Sequence, residues 1–122
     1  MFYKKQEKRL FRFTGQEREV ILSALNEFYK AELAKGNDFP EITEMVNRVN
    51  ALTMNGDKYE LWLKNKDDFD IVRKSLDERI LDRKANGKPF DKTLDIFLKV
   101  NQAPTVQEIR KEKVQQNRGE RA

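Results

Sequence analysis

The sequence predicts a mainly α-helical protein, α+β at the margin, in which one strand-helix-helix unit occurs twice. Two observations indicate this fold. Residues 14–52 and 65–103 align without a gap at an offset of 51, and each stretch holds two apolar patterns at helical spacing. A unit of this size buries its apolar face against its copy. We therefore expect a compact four-helix body with a two-stranded antiparallel ribbon and a C-terminal helix.

The alignment is the evidence for duplication, and the alternative is a similarity imposed by two unrelated helical hairpins. It extends upstream to the pairs Leu10/Leu61 and Phe11/Trp62. Seven of its 39 pairs are identical, namely Leu25/Leu76, Glu27/Glu78, Ala34/Ala85, Gly36/Gly87, Phe39/Phe90, Val49/Val100 and Asn50/Asn101.

Each copy begins with a short strand. Alternation at period two, with aromatic side chains, favours extended structure over helix. In the first copy Leu10, Phe11 and Phe13 interleave with Arg9 and Arg12; in the second, Tyr59, Leu61 and Leu63 alternate with Glu60, Trp62 and Lys64. We expect these two strands to pair across a two-fold relation.

A long helix follows in each copy. Thr14 with Glu17 forms a capping box, and Asn65 with Asp68 takes the same positions in the second copy. Gly36 and Gly87 end the helices, because glycine adopts a left-handed conformation at little cost. The apolar faces are Val20, Ile21, Ala24, Leu25, Phe28 and Tyr29, and then Ile71, Val72, Ser75, Leu76 and Ile80.

The second helix of each copy is shorter. Asp38 is its predicted cap in the first copy, with Pro40 in the opening turn. Asn50 and Asn101 are predicted helix stops, since asparagine tolerates the left-handed conformation. The apolar stripes are Ile42, Met45, Val46 and Val49, and then Phe90, Leu94, Phe97, Leu98 and Val100 with Ile96 at the flank. Asn55-Gly56-Asp57 is the turn between copies.

One domain is expected over residues 1–116, in two pseudo-symmetric halves of about 8–55 and 59–104. Thr105 with Glu108 forms a further capping box and begins a C-terminal helix at 105–116. Residues 117–122 are predicted to be a disordered tail.

The composition excludes several classes of site. Among 122 residues there is no cysteine and no histidine, which removes disulfides, thiolate chemistry and the commonest metal ligand and general base. No signal peptide or membrane span is evident, so the expectation is a cytoplasmic protein. The net charge of +4 resides in the ends, since residues 1–12 hold five basic and one acidic side chain. Such ends suit an anionic partner or serve only as solubilising tails.

The two copies differ on the long helix, where arginines replace other residues. Arg79 stands in place of Phe28, and Arg83 in place of Glu32. With Lys84 and Lys88 they form a candidate partner-binding or anion-binding patch. The alternatives are solvated arginines beyond the core and an internal ion pair with a nearby acid.

Leu22, Tyr29 and Leu33 form a candidate apolar interface on the first long helix. The second copy has Arg73 and Lys84 in place of the two leucines. A face wider than the internal contact requires suits self-association. The alternative is that the N-terminal segment covers it through Phe2, Tyr3 or Phe13.

No catalytic, metal or cofactor motif is present. The carboxylates cluster as Asp67-Asp68-Asp70 and Asp77-Glu78-Asp82, where acidic residues ordinarily stabilise a helix. We therefore expect a non-enzymatic protein-interaction or regulatory module that binds a protein partner or a second copy of itself. An inhibitory role, as in small viral or mobile-element accessory proteins, is a variant of this interpretation.

A nucleic-acid-binding protein is the alternative. The order strand, helix, helix is similar in topology to the ribbon-helix-helix family, in which paired strands enter the major groove. That resemblance implies that Lys8, Arg9, Arg12 and Lys64 contact nucleic acid. The long helix is longer than that family uses, and Leu61, Trp62 and Leu63 suit base edges poorly.

Overall fold

The computed structural model describes residues 8–112. The elements in chain order are β1 (Arg9–Phe13), α1 (Gly15–Ala34), α2 (Pro40–Asn50), β2 (Met54–Asn55), β3 (Lys58–Leu63), α3 (Lys66–Ala85) and α4 (Asp91–Asn101), followed by helical residues 106–112. The fold is mainly α with a small antiparallel sheet, as the sequence predicts.

The helices repeat at the predicted offset. α1 and α3 have 20 residues each, α2 and α4 have 11 each, and every first-half helix begins and ends 51 residues before its counterpart. Helical residues separated by 51 positions are called equivalent. The apolar side chains of both halves share one core, which contains Phe11, Phe13, Ile21, Leu25, Ile42, Met45, Val49, Leu61, Leu63, Val72, Leu76, Ile96 and Val100.

The sheet order is β1-β3-β2, and every pairing among these strands is antiparallel. The predicted ribbon is the β1–β3 pair. Two short additions flank it: β2, which joins β3 through a turn at Gly56 (φ 69°), and Thr105, which forms a bridge to Arg9 on the free side of β1. The sheet therefore receives a contribution from the C-terminal segment that the sequence did not predict.

The strands repeat at an offset of 50, so the predicted pairs Leu10/Leu61 and Phe11/Trp62 are wrong by one residue. Phe11 lies opposite Leu61, and both are buried, whereas Trp62 is exposed. The reason is Lys64, an additional residue between β3 and the cap of α3. A shift of one residue exchanges the two faces of a strand, so the burial pattern decides the alignment.

The long helices begin as predicted, although only one capping box is complete. The Thr14 hydroxyl accepts from the Glu17 amide, and the Glu17 carboxylate accepts from the Thr14 amide. Asn65 accepts from the Asp68 amide, but the shorter Asp68 carboxylate accepts from Lys64 N instead.

The glycine stops are confirmed, and the asparagine stops are partly wrong. Gly36 and Gly87 have positive φ of 87° and 66°. Asn50 and Asn101 are the last residues of their helices, but no non-glycine residue between 8 and 112 has a positive φ. These helices therefore end without a left-handed asparagine.

The predicted details of the short helices need two corrections. Asp38 does not cap α2; its carboxylate accepts from the Tyr29 hydroxyl, and Phe39 is the N-cap, without a side-chain hydrogen bond. In α4 the buried residues are Thr93, Ile96 and Val100, whereas Leu98 is exposed. The buried face is thus the equivalent of Ile42, Met45 and Val49, because both helices pack in the same way against the common core.

Two ion pairs connect the halves symmetrically. Arg48 of α2 lies 2.9 Å from the Asp68 carboxylate of α3, and Lys99 of α4 lies 2.7 Å from the Glu17 carboxylate of α1. Both members of the second pair are equivalent to members of the first. Each short helix is therefore joined to the long helix of the other half, which is what a two-fold relation requires.

The predicted boundaries of the chain's ends lie partly outside the described residues. The cap of the C-terminal helix is present, because the Thr105 hydroxyl accepts from the Glu108 amide. Residues 113–116 of that predicted helix and the predicted tail at 117–122 are not described.

Candidate functional site

Arg79 is held by an internal ion pair. Its guanidinium contacts the Glu27 carboxylate of α1, and its side chain is only 12% exposed, whereas that of Glu27 is 54% exposed. Its Nε is buried without a hydrogen-bond partner. Of the three alternatives that the sequence left open, the internal ion pair is the one present, so Arg79 is not accessible to a partner.

The other three residues of that predicted patch lie toward the end of α3 and beyond it. The Arg83 guanidinium donates to the Pro89 carbonyl, 3.2 Å away, across the loop after α3. Lys84 and Lys88 are exposed. Arg79 is withdrawn toward α1, so the exposed members of that predicted patch are Lys84 and Lys88.

The predicted apolar interface on α1 is mostly covered by the body itself. Leu22 and Tyr29 are half-buried and pack against the core. Leu33 remains exposed. Phe13, a predicted part of an N-terminal cover, is a core residue, while Phe2 and Tyr3 lie outside the described residues. Of the three residues of the predicted interface, Leu33 is thus exposed, while Leu22 and Tyr29 are partly exposed.

The outer face of the β1–β3 ribbon carries Arg12, Glu60 and Trp62. Register places Arg12 opposite Glu60, and their side chains form an ion pair of 2.9 Å. Strand alternation brings Lys8 and Lys64, which are both exposed, to the same face. Arg9 is on the other face, stacked 5.2 Å over the Phe69 ring and donating to the Ala103 carbonyl.

The Glu60 carboxylate accepts hydrogen bonds from two side chains of this sheet, Asn55 and Arg12. Hydrogen bonds from Asn55 and Arg12 hold the pKa of Glu60 below its ordinary value. The outer face of the ribbon therefore combines four basic residues, Lys8, Arg12, Lys58 and Lys64, with one acid, Glu60, which pairs with Arg12.

Two open grooves lie between long and short helices on the two sides of the molecule. The first groove, of about 910 Å³, lies between the N-terminal half of α1 and α4, with Gln16, Val20, Lys92 and Ile96 among its lining residues. Arg18 closes one end of it: its guanidinium stacks 4.7 Å over the Tyr59 ring and donates to the Asn50 carbonyl.

The second groove is the symmetry counterpart of the first and lies between α3 and α2. We call it the acidic groove. Its volume is about 300 Å³, and its lining residues are Phe28, Phe39, Glu41, Ile42, Asp67, Asp70, Ile71 and Lys74. Phe39, at the N-cap of α2, is 42% exposed.

No protein-family model, curated protein or solved structure matches this chain. Across residues 8–112, no helix combines the length and apolar character needed to cross a bilayer.

The acidic groove is the feature that the sequence did not reveal. In the sequence, Phe39 stands out only as an identical pair with Phe90, and Asp67 and Asp70 only as residues that assist a helix. The signal available is the contrast between copies at the short helix, where Glu41 is aligned with Lys92. This contrast indicates a groove only once α2 is known to pack beside α3.

Proposed function

We propose that this chain is a non-enzymatic protein-interaction module that receives a partner in the acidic groove. The observation that carries the proposal is an exposed phenylalanine above an apolar floor, Phe28 and Ile71, within a rim of carboxylates. Protein-binding grooves combine apolar anchor sites with polar rims in this way. A regulatory or inhibitory outcome would depend on the partner.

The test compares partners recovered by the full chain and by single variants of similar exposure. Phe39→Ser removes the exposed ring while leaving a residue well suited to an N-cap. The matched control is Leu98→Ser on α4, since Leu98 is 45% exposed and does not line the acidic groove. Leu33→Ser tests the remaining part of the predicted apolar interface.

The expected result is a partner that is recovered by the wild type and by Leu98→Ser but is lost with Phe39→Ser. Circular dichroism would confirm that each variant is folded. Recovery of the same proteins by all variants would contradict the proposal, and so would a strictly monomeric chain that recovers none.

Nucleic-acid binding through the outer face of the ribbon is the second candidate. The specific observation in its favour is that Lys8, Arg12 and Lys64 share that face with exposed Trp62. Against it, Arg12 is paired with Glu60, and Arg9 is directed away from that face.

A gel-retardation experiment with duplex DNA at low salt tests this candidate. The candidate predicts retardation that weakens steeply as salt is raised, and further weakening in an Arg12→Ala, Lys64→Ala double variant. Absence of retardation at low salt would remove it.

A further inference from the structure

The charge of the acidic groove indicates the chemistry of its occupant. Among residues 8–112, three carboxylates line it, Glu41 from α2 and Asp67 and Asp70 from α3, together with one cation, Lys74. Asp70 has a neighbouring partner in Arg73, at 3.5 Å. The rim therefore presents an excess of negative charge beside an apolar floor.

A metal ion does not explain these carboxylates. Within the described part of the chain, no three acidic side chains converge closely enough to hold one. The carboxylates are distributed along a groove that also exposes an aromatic ring, and a spread of charge beside apolar surface suits a segment of a protein.

The first groove has a different residue type at two of the three acidic positions. Glu41 and Asp67 lie in the first turns of their helices, where a carboxylate favours helix formation. Their equivalents are Lys92 and Gln16, whereas the equivalent of Asp70 is the acidic Glu19. α4 and α1 also have a carboxylate in the first turn, Asp91 and Glu17. A carboxylate at positions 41 and 67 is therefore specific to the acidic groove, although every one of these helices has an acid in its first turn.

The apolar floor also differs between the two grooves. Phe28 lines the acidic groove, whereas its equivalent, Arg79, is withdrawn into the ion pair with Glu27. Ile42 of the acidic groove has the polar equivalent Thr93. Two rim charges and two apolar positions thus distinguish this groove from its counterpart, which has a smaller excess of negative charge: Glu17, Glu19 and Asp95 against Arg18 and Lys92 among its described lining residues.

We propose that the acidic groove binds a basic amphipathic helix of a partner protein. Apolar side chains at positions i, i+3 and i+4 of that helix would contact Phe28, Phe39 and Ile71, and flanking lysines or arginines would approach Glu41 and Asp67. This inference rests on the proposed function and adds the chemical class of the partner.

The experiment is an NMR titration of the ¹⁵N-labelled full chain with a synthetic amphipathic peptide of about 14 residues, or four turns, carrying leucines on one face and lysines on the other. The charge-inverted peptide, with glutamates for lysines, is the ligand control. We expect amide shifts from the basic peptide to cluster at Phe39, Ile42, Asp67 and Ile71, and the acidic peptide to leave them unchanged.

Variants that place the first groove's residues in the acidic groove test the contribution of the rim charges to binding. They are expected to fold, because the equivalent helices already contain these residues. Glu41→Lys with Asp67→Gln gives the acidic groove the residues found in the first groove, and should weaken binding of the basic peptide roughly tenfold. The matched control is Gln16→Asp with Lys92→Glu, which makes the opposite change in the first groove and should leave affinity at the acidic groove unchanged.

Several outcomes would overturn the inference: shifts elsewhere on the molecule, equal binding of both peptides, or full affinity in the Glu41→Lys, Asp67→Gln variant. The proposed function has a separate outcome. A natural partner that is lost with Phe39→Ser but retained by the charge variant would keep the groove as an interaction site and exclude a basic occupant.

Discussion

The single position that most distinguishes the two halves is occupied by Phe28 in one and Arg79 in the other. A buried guanidinium requires a partner, because an unpaired charge inside a protein is strongly unfavourable. Glu27 of α1 supplies this partner. The equivalent position in α3, Glu78, is also a glutamate, so the two halves differ at the arginine and not at the acid. The sequence showed that an arginine replaces a phenylalanine here, but it did not identify the acid that pairs with Arg79. That pairing depends on how α1 packs against α3.

Glu27→Gln should lower the free energy of unfolding by about 1–2 kcal/mol, because it leaves the mostly buried Arg79 without a counter-charge, while the exposure of Glu27 limits the loss. In an Arg79→Phe background the same change should cost less than about 0.5 kcal/mol. Urea unfolding of the four proteins measures both values. Equal losses in the two backgrounds would show that the ion pair does not stabilise the fold.

At the scale of elements, the boundaries of α1 and α3 were predictable because they depend on local signals. Caps such as Thr14 and stops such as Gly36 act within a few residues, so sequence alone locates them. The alignment of the strands was not predictable from local signals. The additional Lys64 changes which side chains face the core, and the apolar pattern of β3 fits either register. The Thr105 bridge depends on contacts distant in sequence, and no local pattern indicates it.

Glu17 connects two elements, because it completes the cap of α1 and binds Lys99 of α4. Burial raises the pKa of its carboxyl, but the hydrogen bonds from Lys99 and Thr14 outweigh burial and place the pKa below the ordinary 4.5. A lowered folded-state pKa stabilises the protein above pH 4.5, and that contribution is lost as the pH falls through the folded value.

Glu17→Gln should therefore lower stability at about pH 7 and have less effect at a pH well below 4.5, where protonation of the wild-type carboxyl removes the same interactions. Glutamine is itself suited to this position of a capping box, so the helix cap is a small part of the difference. Urea unfolding at both pH values gives the comparison. A difference between wild type and variant that does not change with pH would contradict this role.

At the scale of the whole molecule, the two halves share one core, and ion pairs join the short helix of each half to the long helix of the other. The repeated pattern in the sequence predicted this organisation, because a single strand-helix-helix unit needs a second one to cover its apolar face. It did not predict the grooves, whose walls come from helices of different halves. The replacement of Glu41 by Lys92 affects a groove only because of this packing between the halves, which neither half indicates by itself.

Leu25→Ala and Leu76→Ala should each lower the free energy of unfolding by about 2–5 kcal/mol, because both side chains are fully buried in the common core. Chemical denaturation monitored by circular dichroism gives both values. A loss below about 1 kcal/mol for either variant would contradict the shared core. Leu81→Ala, at an exposed leucine of α3, is the control and should change stability little.

The bridge between Arg9 and Thr105 has a consequence for the ends of the chain. The Val106 amide donates to the Lys8 carbonyl, 3.2 Å away, so the N-terminal and C-terminal stretches depart from neighbouring points. Residues 8 and 106, which are separated by almost the whole described length of the chain, are thereby held side by side at the edge of the sheet.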